Sequence, residues 1–295
     1  MRSTDTKTEV VPEYMLDHQA HDGFLLKRMA AVEEHRPLDE KPHRHHYYTV
    51  IWVTEGKGTH QIDFQQFPLR NRMVYFLTPE QVHFLQVSTP PKGWVLEFSP
   101  DFLSAQGIPI SYLTELQLFA NCEEVQPLEL DETIAAEWEN RVLAVMESEQ
   151  QYRDLRWLEK VGSLLKAWLI DCHRYKLKQL GEAKPKTSAA SRMVREFKAL
   201  VEQNYRQWHK VADYATALAV SSGHLSEVIK TETHQSAKQI IQDRLLLEAR
   251  RTARYTAFSL KEAAHALGFD DPSHFAKVFK KAVGTSFLEF RQQEF

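Results

Sequence analysis

The sequence predicts a two-domain α+β protein, with a sheet-rich front part carrying two packing helices and an all-α back part. Three observations carry that expectation. Short β-branched and aromatic runs between turn signals fill the chain from Pro42 to about Phe98. From Asp131 the apolar residues switch to helical spacing. GEAKPKTSAAS (Gly181 to Ser191), rich in glycine, proline and small residues, then separates those helices from a tail that reads helical throughout.

In chain order, HYYTVIWVTEGKG reads as a strand ending in a glycine-rich turn and THQIDFQQF as a second strand. RMVYFLTPEQVHFLQV holds two more around Pro79, and GWVLEF (Gly93 to Phe98) is another. Strands at this spacing make a β-sandwich or small barrel. If odd positions of the first strand face inward, His43, His45, Thr49 and Ile51 line the interior while Trp52 packs outside. Trp94 is assigned to the core. DETIAAEWENRVLAVMESEQ places Ile134, Trp138, Val142 and Val145 at helical spacing behind Asp131, a natural cap. LRWLEKVGSLLKAWLIDCHRYKL repeats the pattern with Trp157, Val161, Leu164, Leu165 and Trp168. These stripes exceed what two short helices need for each other, so part of them is expected in a two-fold dimer contact. The expected domains are 1–181, with strands at about 42–98 and helices at about 131–180, then a linker at 182–190 and a back domain at 191–295.

Composition narrows the function. A hydrophobic content of 43% excludes wholesale disorder. Cys122 and Cys172 are the only cysteines and form no CxxC pair, which excludes a disulfide framework or a zinc finger and suits a reducing compartment. The N-terminal MRSTDTKTEVVPEYML lacks a signal peptide's apolar core, and no apolar run approaches a membrane span, so a soluble cytoplasmic protein is expected. No P-loop, Rossmann glycine fingerprint, nucleophile elbow or HExxH motif is present, so neither an enzyme nor a cofactor is expected. The net charge of −3 is unevenly spread. Ser191 to Phe295 holds 16 Lys+Arg against 12 Asp+Glu, or +4, while the remainder holds 21 against 28, or −7. A basic back part suits a polyanionic partner.

The tail contains an internal repeat. Leu218-Ala219-Val220-Ser221 corresponds to Leu267-Gly268-Phe269-Asp270, His224-Leu225 to His274-Phe275, Val228-Ile229-Lys230 to Val278-Phe279-Lys280, and Ser236 to Ser286. In the second copy Ser259 and Glu262 form a capping box, and Gly268 supplies a helix stop. Asp271 caps the next helix, with Pro272 in its first turn. Phe275, Val278 and Phe279 form its buried stripe, leaving Ser273, His274, Lys277, Lys280 and Lys281 on or beside the other face. Each copy is thus a helix-turn-helix, at about 210–231 and 259–281, whose second helix enters the DNA major groove.

The stretch Arg244 to Arg291 resembles the signature of the AraC/XylS family of bacterial transcription regulators. The matching residues are Arg244-Leu245, Ala249, Ser259, Ala264, Gly268-Phe269, Ser273, Phe275, Phe279-Lys280-Lys281, Gly284 and Arg291. The resemblance implies two helix-turn-helix units joined by a long helix at about Ala237 to Thr252. Carried over by position, the DNA-binding residues are Ser222, Gly223, Ser226, Glu227 and Lys230 in the first unit. In the second they are Ser273, His274, Lys277, Lys280 and Lys281. Four positions depart from the family pattern: His234 stands where glycine is usual, Phe287 where proline is usual, and Thr252-Ala253 where a leucine pair is usual. Glu227 can accept a bond from cytosine N4 but repels phosphates, so the first unit is expected to contribute less affinity than the second.

PHRHHYYTVIWVTEGKGTHQIDF resembles the cupin-like sensor domain that precedes such units, which makes the expected front domain a cupin-like β-barrel. His43, His45 and His83 match the metal-binding cupin pattern in type, but Thr49 occupies the glutamate position. His46 and His60 add polarity without repairing the pattern. His43, His45, Thr49 and His83 are therefore read as structural or effector-contacting rather than as a metal site. The chain is read as a transcription regulator, an activator by the commoner family behaviour. Its expected partners are duplex promoter DNA, a small-molecule effector, a second copy of itself and RNA polymerase, with no membrane. A cupin-type metalloenzyme with a helical appendage is the alternative, disfavoured by Thr49 and by the repeat. An architectural nucleic-acid binder without ligand is disfavoured by the polar, aromatic-lined barrel.

Overall fold

The computed structural model describes residues 12–14, 16, 23–29, 41–119, 126–149, 151–152, 156–181 and 188–293. The chain divides into two units, one running to Pro185 and the other from Lys186. The front unit's strands are β1 (Glu13–Tyr14), β2 (Phe24–Met29), β3 (Arg44–His45), β4 (Tyr48–Glu55), β5 (Gly58–Ile62), β6 (Gln65–Leu69), β7 (Met73–Leu77), β8 (His83–Val87) and β9 (Lys92–Phe98). After them come α1 (Pro100–Ala105), α2 (Ile110–Leu116), β10 (Leu128–Glu129) and α3 (Glu132–Trp138). A π-helical turn at Glu139–Leu143 leads into α4 (Ala144–Glu149), and α5 (Trp157–Gln179) closes the unit.

β4 sits at the centre of a five-stranded antiparallel sheet, order β10-β7-β4-β9-β2, and its alternation sets the layers. Ile51 and Val53 point one way and join Met73, Tyr75 and Leu77 of β7. That core is completed by Ile62, Phe67, Leu69 and Leu85 from a second sheet of order β6-β5-β8. Val50 and Trp52 point the other way, into a larger core with Trp94, Leu96 and the helices. The layers are thus sheet, sheet, helices. Among the described residues the ladders form separate sheets and no continuous ring of strands.

On the helical side Trp52 and Trp168 stack at 6.1 Å, and Trp138 meets both edge-on. Trp94 is buried, with its indole N–H donating to Glu139 at 3.1 Å and the Arg28 guanidinium 4.3 Å over its ring. The helical stripes are spent inside the unit: Trp138, Trp157, Val161, Leu165 and Trp168 are buried, and Val142, Val145 and Leu164 half-buried. Most of the apolar surface expected for a dimer contact is thus taken up against the sheet, with Val142, Val145 and Leu164 left partly exposed.

Other expectations are corrected in detail. THQIDFQQF is not one strand but the hairpin β5–β6, turned at Asp63, whose φ is 52°. Asp63 is buried, and its carboxylate accepts from Gln81 Nε2 and Val82 N, each at 3.3 Å, which stabilises a turn lacking glycine or proline. β1, β2, β10, α1 and α2 lie outside the expected strand and helix ranges. α1 begins with Ser99 accepting from Phe102 N and with Pro100 in the first turn, a start signal the sequence carried.

The back unit contains α6 (Ala189–Asn204), α7 (Val211–Ala217), α8 (Ser222–Thr233), α9 (Ala237–Tyr255), α10 (Leu260–Ala266), α11 (Pro272–Val283) and α12 (Phe287–Gln292). α6 starts inside the range expected for the linker, because Ser188 Oγ accepts from Ser191 N at 3.0 Å and caps it. The expected linker residues 182–187 lie outside the described residues, as does Cys122. α9 runs through the unit and carries a buried ion network. Arg244 reaches Glu202 at 2.7 Å and Glu248 at 3.3 Å, while Arg206 and Arg251 meet Glu248 at 3.2 and 3.3 Å. Burial would push the Glu248 carboxyl up, but Arg251, Arg244 and Arg206 override it and hold it at about 2.

Candidate nucleic-acid interface and histidine cluster

The two helix pairs are built alike. In the second, the Ser259 hydroxyl accepts from Glu262 N at 3.2 Å and the Glu262 carboxylate accepts from Ser259 N at 2.7 Å. The turn passes through Gly268 at φ 75°, where an added Cβ would sit 2.0 Å from the Arg206 carbonyl oxygen. Asp271 accepts from Ser273 N at 2.8 Å and caps α11, and Gly284 ends it at φ 87°. In the first pair the corresponding left-handed positions are Ala219 (φ 54°) and His234 (φ 60°), with Ser221 as the cap of α8. The first copy thus makes the same turns without the two glycines.

The repeat also sets which face of each helix is left outward. Leu225 and Ile229 bury one side of α8; Phe275 and Phe279 do the same for α11, packing on Phe269, Phe287 and Phe290. Val278, expected in that stripe, is only half-buried. On the opposite side Ser273, His274, Lys277, Lys280 and Lys281 are exposed. On α8, Ser222, Gly223, Glu227 and Lys230 are exposed, while Ser226 is half-buried and donates its hydroxyl to the Ser222 carbonyl at 2.7 Å. The two family-signature arginines point inward instead. Arg244 is buried against Tyr205 at 3.8 Å, and Arg291 donates to the Ala253 and Phe258 carbonyls. The positive charge on the outward face of α11 comes from lysines.

In the front unit, His43, His45 and His83 converge, each offering a ring nitrogen within 4.8 Å of the others. An isolated bridge between His43 and His83 draws the chain ahead of β4 onto β8. His45 Nε2 lies 2.9 Å from His83 Nε2, and His83 Nδ1 lies 3.1 Å from His60 Nε2. His60 is fully buried and meets the Tyr75 ring edge-on at 4.7 Å. Burial lowers His45 and His60 to about 3 each and His83 well below the usual imidazole value, so these three are neutral at pH 7. Tyr14 lies over His43 and His45, at 5.3 and 5.9 Å between ring centroids. Thr49, on β4 facing the inter-sheet core, is buried and stands apart from the cluster's hydrogen bonds. His46 belongs elsewhere, pairing with Glu80 at 2.6 Å and Glu13 at 3.2 Å. The cupin resemblance named three members of the cluster; strand pairing brings them together and adds His60 and Tyr14.

Comparison with known proteins matches both halves. A family model for the helix-turn-helix domain matches residues 214–293, and one for the AraC-like ligand binding domain matches residues 28–156. The chain belongs to the AraC family of transcription regulators. It is 25% identical over 254 residues to the uncharacterized HTH-type transcriptional regulator YfiF of Bacillus subtilis, covering 83% of this chain and 76% of that one. It is 23% identical over 276 residues to the HTH-type transcriptional activator RhaS of Escherichia coli, covering 89% of this chain and 91% of that one. Among solved structures ToxT from Vibrio cholerae aligns with a TM-score of 0.42 at 14% identity, covering 91% of this chain and 98% of that one. This AraC-family chain therefore combines a sheet-rich ligand-binding domain with a helical DNA-binding domain. Among the described residues no helix is long and apolar enough to cross a membrane.

Proposed function

We propose that this chain is a cytoplasmic, non-enzymatic one-component regulator whose front unit takes a small effector and whose back unit grips promoter DNA through α8 and α11. The observation that carries this is the pair of capped helices flanking α9, each with a buried stripe and a polar outer face. Ser273, His274 and Lys277 read bases; Lys280 and Lys281 bind phosphate. Ser222, Gly223, Ser226, Glu227 and Lys230 form the weaker contact. Activation through RNA polymerase is proposed by analogy with RhaS, and a homodimer because two-fold pairs are the commonest closed assembly. The front domain, 1–181, is read as a cupin-like barrel, with His43, His45, Thr49 and His83 toward the effector.

The test uses a fragment from Lys186 onward, which keeps the Ser188 cap. It should be folded by circular dichroism and should bind duplexes enriched from a random pool. Its affinity should drop steeply as salt rises, since each phosphate contact releases counterions. A folded fragment with no salt-sensitive binding would sink the proposal.

A further inference from the structure

Four clustered imidazoles require an account that the DNA-binding function does not supply. His43 Nδ1 lies 2.9 Å from the Lys41 carbonyl oxygen, which can only accept, so Nδ1 is the donor there and Nε2 is the nitrogen left to serve as a ligand. His45 Nε2 faces His83 Nε2 at 2.9 Å, and in neutral rings one of those two nitrogens must protonate for the contact to be a hydrogen bond. Two nitrogens on one zinc ion, each about 2.0–2.1 Å from it, lie about 3.3 Å apart at the tetrahedral angle. The Nε2 pair is already near that spacing.

We infer that His43, His45 and His83 form a binding site for a divalent transition-metal ion, with His60 as the positioning residue behind His83. With both facing Nε2 atoms serving as ligands, the His83 Nδ1–H donates to His60 Nε2, which sets the tautomer that coordination needs. Imidazole-only ligation suits zinc, iron, nickel or copper rather than magnesium or calcium. Three neutral ligands leave the ion's double charge uncompensated. Among the described residues, the acids beside these strands are engaged: Glu80 and Glu13 each pair with Arg44 and His46. The described residues thus leave a position for an anionic oxygen donor such as a carboxylate. His43 and His45 are only half-buried, which leaves the ion reachable. This inference goes beyond the regulator reading and does not depend on it.

The test titrates Co2+ into the full chain, purified without affinity metals and stripped with chelator. Ligand-field bands should saturate at one ion per chain, collapse on adding Zn2+, and shift with azide as the probe of the open position. His43→Gln should weaken Co2+ binding by at least about tenfold, since loss of even a supporting partner costs that much. His46→Gln, which removes an imidazole held by Glu80, should leave binding unchanged. His43 is the deciding variant because His83 is buried and its loss can unfold the unit; a melting curve on each protein confirms folding. No saturable bands, or equal affinity in folded His43→Gln and wild type, would overturn the site. Bands that azide leaves unmoved would overturn the open position. Duplex binding on the same preparations reads the regulator function separately, so either can fail alone.

Discussion

Gly268 and Ala219 occupy the same point of the two repeats, and both take a left-handed conformation, at φ 75° and 54°. A side chain there costs about 1 kcal/mol or more. Ala219→Gly and His234→Gly should therefore each raise back-unit stability by up to about 1 kcal/mol, read by denaturant melting of the domain. Gly268→Ala should do the reverse and by more, because its Cβ would collide with the Arg206 carbonyl at 2.0 Å. A neutral Gly268→Ala would show that the turn is not packed as described. Glu248 gives a pH-dependent counterpart. Its folded value of about 2 lies below the ordinary 4.5, so its stabilisation is complete above about pH 4.5 and is lost as pH falls toward 2. Glu248→Gln should cost about 3 kcal/mol at pH 7, because Arg206, Arg244 and Arg251 lose the buried carboxylate they share. That gap from wild type should close between about pH 4.5 and 2; a gap constant with pH would exclude the ion network as its cause.

At the scale of elements, α11 separates two kinds of contact. Lys277 lies nearer its N-terminal end than Lys281, and both are exposed. Lys277→Ala should relax base preference at one or two positions, costing about 1–3 kcal/mol on the selected sequence. Lys281→Ala should weaken all sequences alike, as loss of a phosphate contact does. Selection on each variant decides; the opposite pattern would place the wrong face of α11 in the groove. This element was almost fully legible, because Ser259, Glu262, Gly268, Asp271, Pro272 and Gly284 each carry a local backbone role that no distant contact overrides. β5–β6 was not legible, since its turn at Asp63 is held by Gln81 and Val82 from the β7–β8 connection rather than by turn residues. The histidine cluster lies between these cases. His43 and His45 were close in sequence, but His83 and His60 arrive through the β5–β8 ladder and the His43 bridge, which only the fold supplies.

For the whole molecule, composition and structure differ in two ways. Arg244 and Arg251 of the back part are paired with Glu202 and Glu248, which leaves its +4 unchanged, while Arg291 is committed to backbone carbonyls within the unit. The helical stripes of the front part were counted as spare surface, yet most of their large side chains are buried in the core they share with the five-stranded sheet. If the front unit governs the back one, its ligand must favour one state of the regulator, and DNA must change ligand affinity by the factor by which ligand changes DNA affinity. Specific DNA binding by the full chain is tested most directly by equilibrium binding to a selected duplex across a salt series. Wild type should prefer that duplex over a scrambled one by about 10³-fold or more, with log affinity falling linearly in log salt. Lys281→Ala should reduce that slope by about one contact while Lys277→Ala reduces the preference. Equal affinity for selected and scrambled duplexes, or a slope that neither lysine alters, would contradict the assignment of α11 as the reading helix.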